Sequence, residues 1–249
     1  MKTSQNTILI TGGGSGIGLE IAKSFSQKGN QVIITGRNED KLKKALTQLS
    51  NAHYIVTDVT NENDLNSLVD HVKTNFPDLN VLVNNAGSVV VYKLNDSDNV
   101  ATIARGEMET NFFAPVNLTT KLLPILKKAP EAAVINISSI TGFVPALSLP
   151  TYSASKAALH SYSQALRLSL AANSNVKVFE VMPPLVDTEF AKDIPSSSKI
   201  SPSEVAEDLL ESMNTNTYEV HVAATKQLYK NFLGSPDKAV LALNRIEMN

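Results

Sequence analysis

The run Thr11-Gly12-Gly13-Gly14-Ser15-Gly16-Ile17-Gly18 follows directly on the apolar stretch Ile8-Leu9-Ile10. Glycine has no Cβ, so a backbone built from it can turn tightly and come close to a ligand. The residues that follow, 19–28, continue as an amphipathic helix. A strand, a glycine turn and a helix N-terminus together present unpaired backbone N–H groups to a pyrophosphate. A glycine turn between a strand and a helix is also common without any ligand, so the rest of the chain decides its meaning. Gly12, Gly16 and Gly18 read as the positions that matter, and Gly13 and Gly14 as spacers.

Working outward, short β-branched runs alternate with amphipathic segments. Strands are predicted at 7–11, 31–35, 52–56, 80–83, 132–137, 176–181 and 218–222. Most are apolar throughout, as in parallel strands covered on both faces. Helices are predicted at 16–28, 39–49, 62–75, 100–128, 151–172 and 202–213. Such alternation implies an α/β fold: a doubly wound, Rossmann-type, seven-stranded parallel sheet with helices on both faces. No linker, repeat or low-complexity tract interrupts residues 1–249, which read as one domain. Two segments, 88–99 and 183–201, are long loops leaving the carboxyl ends of strands, where open α/β sheets bind ligands. The second carries Pro183, Pro184, Pro195 and the run Ser196-Ser197-Ser198.

Composition narrows the class. A net charge of −2 gives no footprint for nucleic acid or an anionic membrane. The absence of cysteine excludes disulfides, thiolate catalysis and thiolate metal sites. His53, His71, His160 and His221 are not at metal-ligand spacing, so no metal is expected. No apolar stretch has the length of a membrane span, and the polar start before residue 7 leaves no room for a signal peptide. The expected location is the cytoplasm.

The second predicted strand ends in Thr35-Gly36-Arg37. In a dinucleotide fold a carboxylate at this place bonds the ribose hydroxyls. Here Gly36 stands there, and the Arg37 guanidinium can pair with a 2′-phosphate. That favours NADP(H), with NAD(H) still admitted. The alternative is a solvated Arg37 at a helix start capped by Asn38. Asp58 and Val59 are placed to meet an adenine edge, although Asp58 can equally cap the turn that follows. Asn84-Asn85-Ala86-Gly87 lets the backbone run beside an adenosine, or is a plain turn.

Strand 132–137 runs into Ser138-Ser139, and Tyr152 and Lys156 follow at i and i+4 on one helix face. A free tyrosine has a pKa of about 10, too high for acid–base work near neutrality. A nearby lysine cation favours the phenolate and pulls that value down. Ser139 is placed to bond a substrate carbonyl. Tyr-x-x-x-Lys alone is usually structural; joined to the glycine turn and Ser139 it reads as a hydride-transfer site.

In these motifs, together with Asn111, the chain resembles the short-chain dehydrogenases/reductases of the single-domain type. Its glycines fit that family's own turn rather than the longer Gly-x-Gly-x-x-Gly pattern. The segment Pro183-Pro184-Leu185-Val186-Asp187-Thr188, with Thr35-Gly36-Arg37-Asn38 and Phe143-Val144-Pro145, is similar to the DltE-like subgroup. The resemblance implies an NAD(P)-dependent oxidoreductase acting on a small carbonyl or secondary alcohol. It implies Tyr152 as general acid/base, Ser139 orienting the carbonyl, Lys156 holding the nicotinamide ribose, and Asn111 supporting a water linked to Lys156. Bottom-up, Pro115 clashes with the carbonyl four residues back, at Asn111, which gives either a water site or a kink without function. Cofactor contacts are implied at Gly12, Ser15, Gly16, Ile17, Gly18, Arg37, Asp58, Val59, Asn85, Ala86, Gly87, Tyr152, Lys156, Pro183, Val186 and Thr188. Pro184 stands where the family usually has glycine, which bears on the substrate pocket. Val89, Val90, Leu147, Leu149 and Leu185 are expected to line that pocket.

A homodimer or homotetramer is also implied, with Ala154, Ala157, Ala158 and Ser161 permitting close helix approach. His160, four residues after Lys156 on the same helix face, either approaches the site or, the favoured reading, serves packing or a partner helix. Two other classes compete: a catalytically silent NADP(H)-sensing regulator, and an epimerase or dehydratase of the larger related type. The intact Asn111, Ser139, Tyr152 and Lys156 set argues against the first. The missing extra substrate domain argues against the second.

Overall fold

A computed structural model describes residues 1–96, 98–194 and 198–246. Its strands are β1 (Thr7–Thr11), β2 (Gln31–Gly36), β3 (Ala52–Val56), β4 (Leu79–Asn84), β5 (Ala132–Ile137), β6 (Val176–Met182) and β7 (Glu219–His221). All pair in parallel in one sheet of order β3-β2-β1-β4-β5-β6-β7. The order reverses between β1 and β4, which opens a crevice at their carboxyl ends, where such sheets take ligands.

The helices are α1 (Gly16–Gln27), α2 (Glu39–Leu46), α3 (Glu62–Asn75), α4 (Val100–Met108), α5 (Ala114–Leu126), α6 (Pro150–Ala171), α7 (Pro202–Thr215), α8 (Ala224–Gly234) and α9 (Pro236–Asn244). Strand side chains alternate between two cores. Ile8, Ile10, Val32 and Ile34 pack with Ile21, Phe25 and Leu209 on one face. Leu9, Ile33, Leu82 and Val134 pack with Leu68, Val72 and Leu122 on the other. Each such buried aliphatic side chain contributes about 1.5–3 kcal/mol of transfer free energy. Side chains fix the helix starts: Asn38 accepts from Lys41 N at 2.9 Å, and Ser201 forms a capping box with Glu204.

Several boundaries differ from the sequence reading. Residues 100–128 are not one helix. A π-helical turn, Glu109–Phe113, separates α4 from α5. Pro115 provides the cause, since it has no N–H to donate and its ring crowds the carbonyl of Asn111. Past residue 222 no element was expected, yet α8 and α9 form there. Ser235-Pro236 is a legible helix start for α9. Within the described part of the 183–201 segment, Val186 bridges Ile200, and a short 3-10 turn spans Glu189–Ala191. Pro195, Ser196 and Ser197 lie outside the described residues.

Gly18 packs on α1 with no room for a side chain. A Cβ there would lie 2.5 Å from both Asn85 Nδ2 and Gly12 O. Gly18→Ala is therefore expected to destabilise by about 1–3 kcal/mol, the usual range for overpacking, in urea unfolding. Gly106→Ala, with nothing within 4 Å on exposed α4, should instead stabilise by about 0.5–1 kcal/mol. Equal effects of the two would contradict this packing.

Candidate active site

The glycine turn after β1 is held by the loop after β4. Thr11 Oγ1 accepts from the N–H groups of Asn85 and Ala86 at 3.0 and 3.1 Å. Asn85 Nδ2 donates back to Thr11 O at 2.9 Å and to Gly12 O at 3.2 Å. Gly12 and Gly16 take φ of +66° and +56°, a region that L side chains rarely adopt. A Cβ on Gly12 would lie 3.0 Å from Ala86 Cα, and one on Gly16 3.1 Å from Thr188 Cγ2. Ser15 is the extended N-cap of α1 and makes no side-chain bond to the helix. Its hydroxyl and the first N–H groups of α1 are thus available to an anion. Gly13 is not a spacer, because a Cβ there would strike Ile34 Cγ2 at 2.6 Å.

A cavity of about 1020 Å³ opens from this turn and reaches the ends of β5 and β6. It is lined by Gly12, Ser15, Gly16, Ile17, Asn85, Ala86, Gly87, Ser139, Tyr152, Lys156, Pro183, Val186 and Thr188, all singled out from the sequence. Val89, Leu147, Leu149 and Leu185 also line it, whereas Val90, expected there, does not. Gly18, Arg37, Asp58, Val59 and Asn111 lie off the cavity wall. Gly18 is packed under the turn, and Val59 belongs to the core beneath it. Arg37 is exposed after β2. Asp58 caps a turn, accepting from Thr60 N at 2.9 Å and Thr60 Oγ1 at 2.7 Å. Burial opposes its ionisation, but the Thr60 bonds and the Arg37 guanidinium hold its carboxyl below the usual range.

Tyr152 and Lys156 are buried on α6, 8% and 4% exposed. Lys156 Nζ donates to Ile137 O at 2.8 Å and lies 5.7 Å from the Tyr152 ring centroid. Burial governs the Tyr152 phenol, and Lys156, expected to pull it down, is not among the groups that shift it. Tyr152 is pushed up to about 12 by burial, with Glu107 adding and a Ser139 hydrogen bond opposing. Burial likewise draws Lys156 down to about 8, against the pull of Glu180. Ser139 Oγ accepts from Thr141 N at 3.1 Å and Thr141 Oγ1 at 3.0 Å. With both acceptor sites taken, its own hydrogen is free for Tyr152 or a substrate oxygen.

Asn111 is fully buried in the π turn. Its Nδ2 donates to Ser88 O and Ser155 Oγ, both at 2.9 Å, and its Oδ1 accepts from Ser88 N at 2.8 Å. It ties the loop after β4 to α6. Sequence reasoning missed Thr141, Ser155 and Glu107. Glu107 is buried on α4, accepts from Val90 N at 2.9 Å, and bonds Thr151 beside Tyr152. Burial raises its pKa against these two bonds. Its spacing of four from Asn111 was the available signal, since it puts both on one helix face. Phe190, also unforeseen, lies 6.2 Å from the Tyr152 ring, centroid to centroid.

Residues 6–199 match the family described as short chain dehydrogenase. The chain belongs to that family. It is therefore an oxidoreductase, in keeping with its 44% identity over 188 residues to the uncharacterized oxidoreductase DltE of Bacillus subtilis (strain 168). That alignment covers 76% of this chain and 74% of the relative. A short chain dehydrogenase from Burkholderia cenocepacia J2315, solved in complex with NADP, superposes with a TM-score of 0.84. It is 26% identical, with 100% of both chains covered. A short chain dehydrogenase/reductase from Burkholderia phymatum, solved with NAD, has a TM-score of 0.81 at 22% identity, covering 88% of this chain and 89% of its own; that likeness is one of fold. Among the described residues no helix is long and apolar enough to cross a membrane, and no three His, Cys, Asp or Glu gather as metal ligands.

Asn111→Ala would leave the Ser88 backbone N–H and C=O without their partner. The expected loss is about 1–3 kcal/mol in urea unfolding, the cost of unsatisfied buried groups. An unchanged midpoint would contradict the clamp.

Proposed function

We propose that this oxidoreductase transfers a hydride between NADP(H) and a small carbonyl or secondary alcohol, with Tyr152 as its general acid/base, in one catalytic domain. The reading rests on one observation: a single cavity is walled at one end by the Gly12–Ile17 turn and at the other by Ser139, Tyr152 and Lys156. The dinucleotide fits these residues. The turn carries Gly12 and Gly16 at positive φ with a Cβ at either crowding its neighbours, and α1 opens its N-terminus there with Ser15 making no bond to the helix. The bound nicotinamide would supply or accept the hydride.

The chain's own part is to bind, orient and move a proton. Ser139, fixed by Thr141, donates to the substrate oxygen and polarises the carbonyl. Tyr152 gives its phenol proton to that oxygen in reduction and takes it back in oxidation. At about 12 the phenol is protonated over the whole neutral range, the form needed for reduction. The buried Lys156 cation holds the nicotinamide ribose and stabilises the phenolate left behind. Gly12 and Ser15–Ile17 carry the pyrophosphate with Gly18 packed beneath them, Arg37 a 2′-phosphate, and Asn85–Gly87 with Asp58 flank the adenosine, Val59 backing them from the core. Pro183, Val186 and Thr188 form the wall for the carboxamide. Asn111 positions the loop and α6 around them. The exposed α6 face bearing Ala154, Ala157 and Ser161 suits a second copy of the chain in a homodimer or homotetramer.

Tyr152→Phe should lower turnover of a carbonyl panel with NADPH by at least about 100-fold, the contribution of a positioned acid, while NADPH affinity by fluorescence titration stays close to wild type. Retained turnover would refute the mechanism. No consumption by the wild type across a broad panel would instead favour a sensor. Arg37→Ala should weaken NADPH by about tenfold or more, the value of a charge-assisted bond, and NADH far less. An equal loss for both cofactors would remove Arg37 from 2′-phosphate recognition.

A further inference from the structure

Behind Lys156 lies a charged group that the mechanism above does not use. Glu180 projects from β6 and is fully buried. A carboxylate taken out of water is strongly disfavoured unless hydrogen-bonded and paired. Ser138 Oγ donates to its Oε1 at 2.6 Å, and His160 Nδ1 lies 2.9 Å from Oε2 and 3.1 Å from Oε1. Both links lead back to Lys156. Ser138 is the residue after Ile137, whose carbonyl accepts the Lys156 ammonium. His160 lies four residues after Lys156 on the same face of α6. The result is a closed frame. Two consecutive residues at the end of β5 and two residues one turn apart on α6 link the buried lysine to the buried carboxylate. Gly142 keeps the frame tight, because a Cβ there would lie 3.2 Å from Lys156 O and 3.6 Å from His160 Cβ.

We propose that Glu180 is a positioning residue for Lys156, keeping its ammonium charged in a buried site, and that His160 sets how much of the Glu180 charge Lys156 feels. The inference rests on the role given to Lys156 above. An ammonium has three donors, and Lys156 has one hydrogen-bond partner among the described residues. Burial therefore disfavours its charge, and the carboxylate of Glu180 acts in the opposite sense. When His160 is protonated the His160–Glu180 pair is neutral overall. When His160 loses its proton the negative charge of Glu180 is no longer offset. The hydrogen bond to Glu180 raises the His160 pKa above its usual value, against burial, and so moves the hand-over toward neutrality. The other charged or titratable groups facing the pair are His221 and Glu219 on β7 and Arg167 on α6. Arg167 and Glu219 are paired with each other at 2.9 Å.

The test is lysine side-chain NMR on the full chain labelled at 13Cε and 15Nζ, without cofactor or substrate. Lys156→Arg identifies the Lys156 resonance. The wild-type resonance should titrate with a midpoint of about 8. It should also show a smaller inflection at the pH where the His160 ring titrates. Glu180→Gln should lower the Lys156 midpoint by about one unit or more, a tenfold loss in proton affinity. His160→Gln keeps a donor for Glu180 but cannot charge, so it should abolish the inflection and leave the midpoint at or above the wild-type value. A folded Glu180→Gln protein with an unmoved Lys156 midpoint overturns the proposal. So does a wild-type Lys156 resonance with no inflection at the His160 titration, a result that needs no variant to fold. Failure of NADPH binding or of carbonyl turnover would count against the proposed function and leave this titration unaffected.

Discussion

The reciprocal bonds between Thr11 and Asn85 cross the crevice where the strand order reverses. Thr11 ends the first strand, and Asn85 follows the fourth, 74 residues later. A parallel sheet leaves the N–H and C=O groups at strand ends without ladder partners, and here the two loops satisfy one another. The glycine turn keeps its left-handed residues because Asn85 holds the carbonyls of Thr11 and Gly12. Gly18 then packs under Asn85, which sets how α1 leaves the turn. The direction of α1, and with it the mouth of the cavity, follows from this clamp.

Around the reactive end, burial dominates the electrostatics. Two buried carboxylates act on the Tyr152–Lys156 pair, Glu107 on α4 and Glu180 on β6. Glu107 favours the protonated phenol and Glu180 the protonated lysine. Both therefore favour the resting, proton-loaded form of the site. Each carboxylate also does mechanical work. Glu107 fastens the loop after β4 through Val90, and Glu180 fastens the end of β5 to α6 through Ser138 and His160.

The legibility of these features follows the range of the interactions behind them. The seven strands were readable because apolar β-branched runs bounded by helices have one efficient burial, a parallel sheet covered on both faces. Tyr152 and Lys156 were readable because the helix itself puts i and i+4 on one face. Pro115 marked the break near Asn111 because the steric clash is local. The partners of Glu107 and Glu180 were not readable. Glu107 meets Thr151 44 residues away, and Glu180 meets Ser138 and His160 at separations of 42 and 20. A lone glutamate in an apolar strand gives no local sign of what will satisfy it. Asp58 shows the limit from the other side: turn cap and adenine contact could not be ranked from sequence, and the Thr60 bonds to its Oδ1 show the cap without deciding the contact.

By itself, the sequence determined the sheet, the glycine turn and the face shared by Tyr152 and Lys156. Each depends on spacing within a few residues and on the periodicity of apolar side chains. Only the tertiary structure decided that Gly18 serves packing and that Asn111 bridges a loop to α6. It alone decided that burial sets the protonation of Tyr152. Those outcomes turn on desolvation and on distances between residues far apart in the chain, which exist only once the sheet has closed around them.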